Sequence, residues 1–401
     1  MTAPRVAAGA ALLGAWLAGA WLLSGTAVPD GLTLPHVDVD AVFGHELVSR
    51  AERYERFLRW MWVLGTLVTL GALALYARLG RRFARESAAG PIGTGMLLGM
   101  LGLAIVWLTQ VPFTVVSLWW RRRHDVSHAG YLETVFGGWA QLGLTFVALC
   151  VGLLVVMGLA RWVGSWWWIP ATAVLTGIAA LFLFVSPYVY PGLERPDDPG
   201  LVARYERFGR AEGVPGIPLR VERVSDTTSQ ANAFAFGLGP SRRVVVWDTL
   251  LDGRFGEREV DVVLAHELAH HASDHLPKAI GWFALFALPG AFVVMLATRS
   301  RGGMAEPLAV PVALLVVTVW MLVTAPAQNL VSRRDEAEAD WKALRTTRDP
   351  AAARDLFEAF ARTSLGDPSP PTWAYLFLET HPTLSQRVAM ADAWAESVPG
   401  T

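Results

Sequence analysis

Charged residues are scarce in this chain of 401 residues. Asp, Glu, Lys and Arg make up only 17% of it, hydrophobic residues make up 53%, and the formal net charge at pH 7 is −1. A soluble globular protein carries about one quarter charged residues, so this shortage favours a protein that resides in a membrane. Because the net charge is close to zero, no nucleic-acid partner is expected.

Cysteine is almost absent as well. The one cysteine, Cys150, lies within an apolar run. A single thiol excludes an intramolecular disulfide framework and a metal site built from several cysteines. We interpret Cys150 as a packing residue within the membrane.

Long apolar runs are present instead. They predict about seven transmembrane helices: residues 6–28, 60–76, 96–120, 139–160, 168–188, 280–297 and 308–325. The first run also fits a cleaved signal peptide, because Arg5 precedes it and small residues end it. Both interpretations of this run stay open.

The segment VVLAHELAHHASDH, residues 262–275, contains an uninterrupted H-E-x-x-H motif. On an α-helix, His266 and His270 lie one turn apart on the same face and can both point at one metal ion. Glu267 lies next to that face, close enough to take a proton from a metal-bound water. The apolar residues around the motif predict a buried helix, in which two imidazoles and a carboxylate need a partner. The pattern is typical of zinc proteases.

Two histidines leave a catalytic zinc one protein ligand short. The third ligand must come from the same side of the membrane, and an even number of apolar runs separates the motif from the acidic segment NLVSRRDEAEAD. Asp335, Glu336 and Glu338 compete in that segment. Glu336 shares a helical face with Asp340. We therefore assign Glu336 as the ligand and Asp340 as the acceptor that orients a ligating histidine.

Other histidines have the same spacing. His124 and His128 lie in HDVSH, where an aspartate takes the place of the catalytic glutamate and no long helical pattern follows. We interpret this segment as a solvated loop, with a second metal site as the alternative. His271 and His275 face about a third of a turn away from the metal face, so we interpret them as neighbours rather than ligands.

The composition changes near Tyr190 to that of a soluble domain, after which several prolines mark a linker. Residues 220–226 and 232–237 have alternating patterns, and residues 242–247 form a short run rich in β-branched residues. Together they predict two or three strands of a small β-sheet. We predict an N-terminal transmembrane region of about five spans at residues 1–190. A metalloprotease domain should follow at residues 191–401, interrupted by a transmembrane hairpin at about 280–325. The predicted fold is mainly α, a multi-span helical membrane protein with a zincin-type metalloprotease domain that contains a small β-sheet.

These motifs resemble the integral-membrane zinc metalloproteases that include the type 1 CAAX prenyl proteases and the HtpX proteases. HELAHHASDH resembles the metal helix of that family. SRRDEAEAD resembles its S-R-x-x-E-x-x-A-D segment, whose Glu, here Glu336, is the third zinc ligand. ANAFAFG, beginning at Ala231, is similar to its substrate-binding edge strand. HPTLSQR, residues 381–387, resembles its H-P-x-L-x-x-R segment.

The resemblance implies roles for further residues. Asn232 and His381 would face the substrate and the tetrahedral intermediate, and Arg387 would join Asp340 in supporting the ligands. One zinc ion per chain would lower the pKa of a bound water. Glu267 would accept the proton of that water and return it to the leaving amine.

The predicted function is that of a membrane-embedded zinc metalloendopeptidase. Its substrates would be membrane proteins or membrane-tethered peptides, bound as an added strand along residues 232–237. A CAAX-type protease of lipidated C-termini and a non-catalytic zinc-binding scaffold or sensor are the alternatives. Basic residues in the loops on the two sides of the membrane nearly tie in number. The resemblance implies a multi-pass integral membrane protein whose active site faces the cytoplasm.

Overall fold

The computed structural model describes residues 3–80 and 90–397. Its α-helices within these residues are, in chain order, α1 (Ala3–Leu23), α2 (Val39–Phe43), α3 (His45–Leu79), α4 (Gly90–Arg123), α5 (Gly138–Val163), α6 (Trp168–Val189), α7 (Pro199–Ala211), α8 (Glu257–Ala272), α9 (His275–Thr298), α10 (Val310–Thr347), α11 (Pro350–Ser364), α12 (Thr372–Phe377) and α13 (Leu384–Ser397). Its strands are β1 (Leu193–Glu194), β2 (Leu219–Glu222), β3 (Ala233–Phe236) and β4 (Arg243–Trp247).

Six helices in the described parts of the chain are long and apolar enough to cross a membrane, namely α3, α4, α5, α6, α9 and α10. The predicted multi-span, mainly helical fold is confirmed. The predicted first span corresponds to α1, whose apolar segment Leu13–Leu23 is shorter than the six. The predicted hairpin at about 280–325 corresponds to α9 and α10.

Helix α1 packs against α9 where α9 contains a proline. Pro289 has no N–H, so the carbonyl of Leu285 one turn earlier lacks its helical donor. The indole N–H of Trp16 donates to that carbonyl over 2.8 Å. A Cβ at Gly19 would lie 3.4 Å from the Leu285 side chain, an ordinary van der Waals distance, so the two helices are in contact here. The hydrogen bond joins the first helix to the helix that directly follows α8.

The four strands form one small mixed sheet in the order β1-β2-β4-β3. β2 and β4 pair in parallel, while β1 and β3 pair antiparallel with their neighbours. Val244, Val245 and Val246 of β4 are fully buried, as a strand flanked on both sides requires. The predicted β-sheet is confirmed. It also contains β1, which was not predicted because a strand of two residues is too short to show a pattern in the sequence. Within residues 3–80 and 90–397, no strand pairs with the other edge of β3.

Helix α10 is one continuous helix of 38 residues, about 57 Å long at 1.5 Å per residue. Its first half is the apolar span, and its second half carries the acidic segment. Pro326 lies between the two halves without ending the helix. The same rigid element therefore crosses the bilayer and presents Glu336 and Asp340.

Helix α8 lies at the centre of the region that was predicted to be a metalloprotease domain. Its apolar side chains pack against the sheet and against α7, α10 and α11, and Leu264 and Leu268 are fully buried there. α9 begins three residues after α8 ends. The protease core and the membrane hairpin are thus joined almost without a loop.

Candidate metal centre

Helix α8 presents the H-E-x-x-H motif in a buried setting. Its first turn is capped, because the carboxylate of Glu259 accepts a hydrogen bond from the N–H of Gly256 over 2.6 Å. His266 and Glu267 are each only 7% exposed. Buried polar side chains need hydrogen-bond or metal partners. The partners of these side chains therefore indicate the chemistry of the site.

Helix α10 brings Glu336 to the two histidines. The Nε2 atom of His266 lies 3.1 Å from Oε2 of Glu336, and the Nε2 atom of His270 lies 3.6 Å from Oε1 of the same carboxylate. The two Nε2 atoms lie 3.1 Å apart. Among the described residues, these three side chains form the group of histidine and carboxylate ligands that could hold a metal ion.

The three side chains fit a zinc ion. Ligand atoms about 2.0–2.1 Å from a tetrahedral zinc lie about 3.3 Å from one another. Here the two Nε2 atoms are 3.1 Å apart, and they lie 3.1 and 3.6 Å from the two oxygens of the Glu336 carboxylate. The Nδ1–H of His266 donates to Asp340, so Nε2 of the neutral imidazole carries a lone pair that can bind a metal. That lone pair faces an oxygen of Glu336, which is also an acceptor. Two acceptors held this close in a buried site repel one another unless a proton or a metal ion lies between them.

Asp340 and Arg387 fix the position of His266 on the Nδ1 side of its ring. Oδ1 of Asp340 accepts the Nδ1–H of His266 over 2.9 Å. The guanidinium of Arg387 donates to both oxygens of that carboxylate, over 2.8 and 2.6 Å. Asp340 is 4% exposed, so its charge is neutralised by a bidentate partner inside the protein. The arrangement fixes the tautomer of His266 in which Nε2 is free to bind a metal.

Glu267 lies beside the ligands without joining them. Burial raises the pKa of its carboxyl group to about 7, although the neighbouring His266 lowers it. The N–H of Ala235 in β3 donates to this carboxylate. A carboxylate with a raised pKa beside a metal site suits a group that accepts and returns a proton near neutral pH.

The open edge of β3 faces the same site. The N–H of Trp247 donates to the carbonyl of Asn232 over 2.9 Å, and this sets the alternation of the antiparallel pair. Ala233 and Ala235 therefore direct their main-chain groups away from β4 and towards the open edge. An extended peptide could pair with that edge beside Glu267.

His381 and Asn232 lie at the margins of the site. The Nε2 atom of His381 is 3.2 Å from Oε2 of Glu336, and its side chain is 53% exposed. Asn232 is exposed at the start of β3. The structure thus brings His381 to the ligands from a segment that follows α12, while Asn232 lies along the strand edge.

Two residues at the site were not predicted from the sequence. His275 places its Nδ1 atom 2.9 Å from Nδ1 of His270, although the sequence suggested only a neighbouring position. Arg333 donates to the carbonyls of Tyr375 and Glu379, each over 2.7 Å, in the segment that leads to His381. The HxxxxH spacing could have pointed to His275, whereas the partners of Arg333 are main-chain atoms that no side-chain pattern reveals.

The segment HDVSH occupies a loop after α4. His124 packs against the rings of Tyr54 and Trp120, and its Nδ1 lies 2.9 Å from the carbonyl of Trp120. Ser127 forms an isolated β-bridge with Thr228. Neither His124 nor His128 belongs to the possible metal group within the described residues. The segment connects the membrane region to the sheet.

Comparisons with known proteins find similarity in sequence and in fold. The profile described as "Peptidase family M48" matches residues 199–395. The chain is 23% identical to the "Uncharacterized metalloprotease YhfN" of Bacillus subtilis (strain 168), over 95% of this chain and 94% of that protein. It is 31% identical to the "Protease HtpX homolog" of Acidiphilium cryptum (strain JF-5), over 48% of this chain and 72% of that protein. The crystal structure of S. mikatae Ste24p shares the fold, with a TM-score of 0.72, 16% identity, and coverage of 95% of this chain and 96% of that one.

Proposed function

The chain belongs to peptidase family M48 and is a membrane zinc metalloendopeptidase, and from this premise we propose which residues carry the reaction. His266, His270 and Glu336 would hold one zinc ion per chain, and Glu267 would act as the general base. The observation that supports this proposal is the convergence of two imidazole nitrogens and the carboxylate of Glu336, at distances of 3.1–3.6 Å, beside the buried carboxylate of Glu267.

Zinc bound to these side chains would supply Lewis acidity and lower the pKa of water. Glu267 would accept a proton from the attacking water and donate it to the nitrogen of the leaving amine. Its environment supports both steps, because burial raises its pKa to about 7 and the N–H of Ala235 holds the carboxylate in place. Asp340 and Arg387 would keep His266 oriented throughout.

The substrate would bind in extended form along β3. Main-chain groups of Ala233 and Ala235 point to the open edge, and pairing there would align a peptide bond with Glu267. His381 lies 3.2 Å from Glu336 and retains an exposed face, so it can donate a hydrogen bond to a developing oxyanion. Asn232, exposed at the start of the strand, would bind the substrate beside it.

The position of the site supports substrates that are attached to a membrane. Glu336 lies eleven residues beyond the apolar run that ends at Ala325, which is about 16 Å along α10. A peptide bond near the bilayer surface can reach that point while the rest of its chain stays anchored. We place the site on the cytoplasmic side, a proposal that rests on the resemblance of the motifs to the CAAX and HtpX proteases.

Processing of lipidated C-termini is the second candidate function. An apolar cavity of about 680 Å³ lies between the membrane helices, with Trp282, Phe283 and Phe286 in its wall. Its polar end includes Asp335, whose Oδ1 is 3.9 Å from Nε2 of His275. The cavity offers room for a hydrocarbon chain next to the site. Equal cleavage of a peptide with and without a lipid group would remove this candidate.

The proposed base can be tested with a matched pair of variants. Full-length protein in detergent or proteoliposomes is loaded with zinc and given a membrane-tethered peptide. Glu267→Gln should reduce kcat about 10²–10⁴-fold, the range for loss of a general base, while retaining zinc. Glu257→Gln makes the same chemical change at an exposed position of α8 and should leave kcat unchanged. Cleavage by Glu267→Gln at the wild-type rate would exclude Glu267 as the base.

A further inference from the structure

The two histidines proposed above as ligands have different hydrogen-bond partners at Nδ1. His266 donates its Nδ1–H directly to a carboxylate, that of Asp340. His270 instead meets another imidazole, with 2.9 Å between its Nδ1 atom and Nδ1 of His275. If Nε2 of His270 faces a metal, its proton lies on Nδ1. His270 then donates this hydrogen bond, and His275 accepts it with a bare Nδ1.

The backbone between α8 and α9 makes this contact possible. Asp274 adopts the left-handed conformation, with φ of 54° and ψ of 35°, between the end of one helix and the start of the next. Aspartate is one of the few residues other than glycine that occupy this region readily. The reversal brings the first residue of α9, His275, back against the last turn of the metal helix. A continuous helix would carry a residue five positions later to a different face.

The second nitrogen of His275 has acidic partners. Nε2 lies 3.4 Å from Oε2 of Glu338 and 3.9 Å from Oδ1 of Asp335. Glu338 is 5% exposed, and the ammonium groups of Lys278 and Lys342 lie 3.9 and 3.8 Å from its oxygens. A carboxylate held between two lysines is a fixed acceptor. It selects the tautomer of His275 that carries its proton on Nε2 and leaves Nδ1 bare.

The geometry points to His275 as a positioning residue that holds His270 in the orientation and tautomer of a metal ligand, with Glu338 fixing His275 in turn. This inference rests on the proposed function, because it requires Nε2 of His270 to bind zinc. His275 is not itself a ligand in this arrangement, since the atom nearest to His270 contacts Nδ1 on the far side of that ring. The hydrogen bonds from His270 through His275 to Glu338 link the metal helix to the first turn of the membrane hairpin.

Two amide substitutions separate this role from a purely structural one. Asn at position 275 places its oxygen near the position of Nδ1 and can still accept from His270, but it does not reach Glu338. Gln places its amide near the position of Nε2 and keeps the contact with Glu338, but it loses His270. The readout is the rate at which zinc leaves the purified full-length protein for a chromogenic chelator. Thermal unfolding of each variant provides the measure of folding.

We expect His275→Asn to release zinc at nearly the wild-type rate. His275→Gln and His275→Ala should weaken zinc binding about 10–100-fold, as loss of a ligand-orienting partner does, and release zinc correspondingly faster. Glu338→Gln leaves His275 in place and should accelerate release less than His275→Gln does. Retention of zinc by His275→Gln together with rapid loss by His275→Asn would overturn the inference, and so would equal rates in all variants.

Failure of the proposed function gives a different result. A wild-type protein that binds no zinc, or a His270→Ala variant that keeps it, contradicts the assignment of the ligands themselves. If zinc binding is lost in His270→Ala but unchanged in the His275 variants, the ligands are assigned correctly and only the role of His275 is contradicted. The two outcomes are therefore distinguishable in one set of measurements.

Discussion

The Nε2 atom of His266 lies 3.1 Å from Oε2 of Glu336, although 70 positions separate the two residues in the chain and a membrane hairpin lies between them. The contact exists because α9 and α10 return the chain to the side of the bilayer that α8 occupies. The hairpin is thus part of the structure of the site. Changes in its packing should affect the protein as strongly as changes in the protease core.

Gly290 tests the packing of this hairpin. A Cβ at Gly290 of α9 would lie 2.6 Å from Nε1 of Trp320 in α10, whereas a Cβ at Gly177 in α6 would have nothing within 4 Å. Gly290→Ala should destabilise the protein by about 1–3 kcal/mol through overpacking, despite the higher helix propensity of alanine. Gly177→Ala should leave the thermal midpoint in detergent unchanged or raise it. Equal midpoints for the two variants would contradict the packing described here.

Arg387 tests the support of the metal ligands. Arg387→Ala removes the bidentate partner of Asp340, which is 4% exposed, and loss of one partner of a buried ion pair costs about 3–5 kcal/mol. Zinc affinity should also fall, by about 10–100-fold. The matched control is Arg354→Ala, which breaks a half-exposed pair with Asp392 and should cost about 0–1 kcal/mol. Calorimetry and zinc titration of both variants measure these effects, and an unchanged zinc affinity in Arg387→Ala would contradict the role of Asp340.

Substitution of Arg333 should displace His381. The guanidinium donates to the carbonyls of Tyr375 and Glu379 and lies 4.2 Å from the centre of the Tyr375 ring. Arg333→Ala leaves these partly buried carbonyls without their donor and should shift the segment that carries His381.

Arg333→Ala should lower kcat only because it displaces His381. We expect Arg333→Ala to lower kcat in the wild-type background and to lower it no further in a His381→Ala background. Arg334→Ala, the exposed neighbour, serves as the control and should leave kcat unchanged. Additive losses in the double variant would show that Arg333 acts independently of His381.

Much of the fold could be predicted from the sequence because its strongest signals are local. Apolar runs of 17 or more residues indicate membrane helices wherever they occur, and the four-residue spacing of His266 and His270 defines one helix face by itself. The alternating runs and the β-rich run predicted two or three strands, where the structure has three longer strands and β1. Local patterns of this kind do not depend on how distant segments pack.

The remaining features depend on packing between distant segments. The role of His275 follows from one left-handed residue, Asp274, and helical periodicity alone places His275 on another face. β1 has two residues and pairs only because β2 lies beside it. Parity of the membrane spans allowed Asp335, Glu336 or Glu338 to reach the metal helix, and the crossing of α8 and α10 brings Glu336 to both Nε2 atoms.

The most direct test of the account measures bound zinc in Glu336→Gln and Asp335→Asn, two adjacent changes of the same kind. Zinc-edge absorption of the wild-type protein should show one zinc per chain with nitrogen and oxygen ligands at about 2.0–2.1 Å. Glu336→Gln should lose most of this zinc on dialysis, because removal of a ligand weakens the site more than the roughly 10–100-fold effect of removing an outer partner. Asp335→Asn should keep it. Full zinc content and an unchanged ligand shell in Glu336→Gln would contradict the central claim.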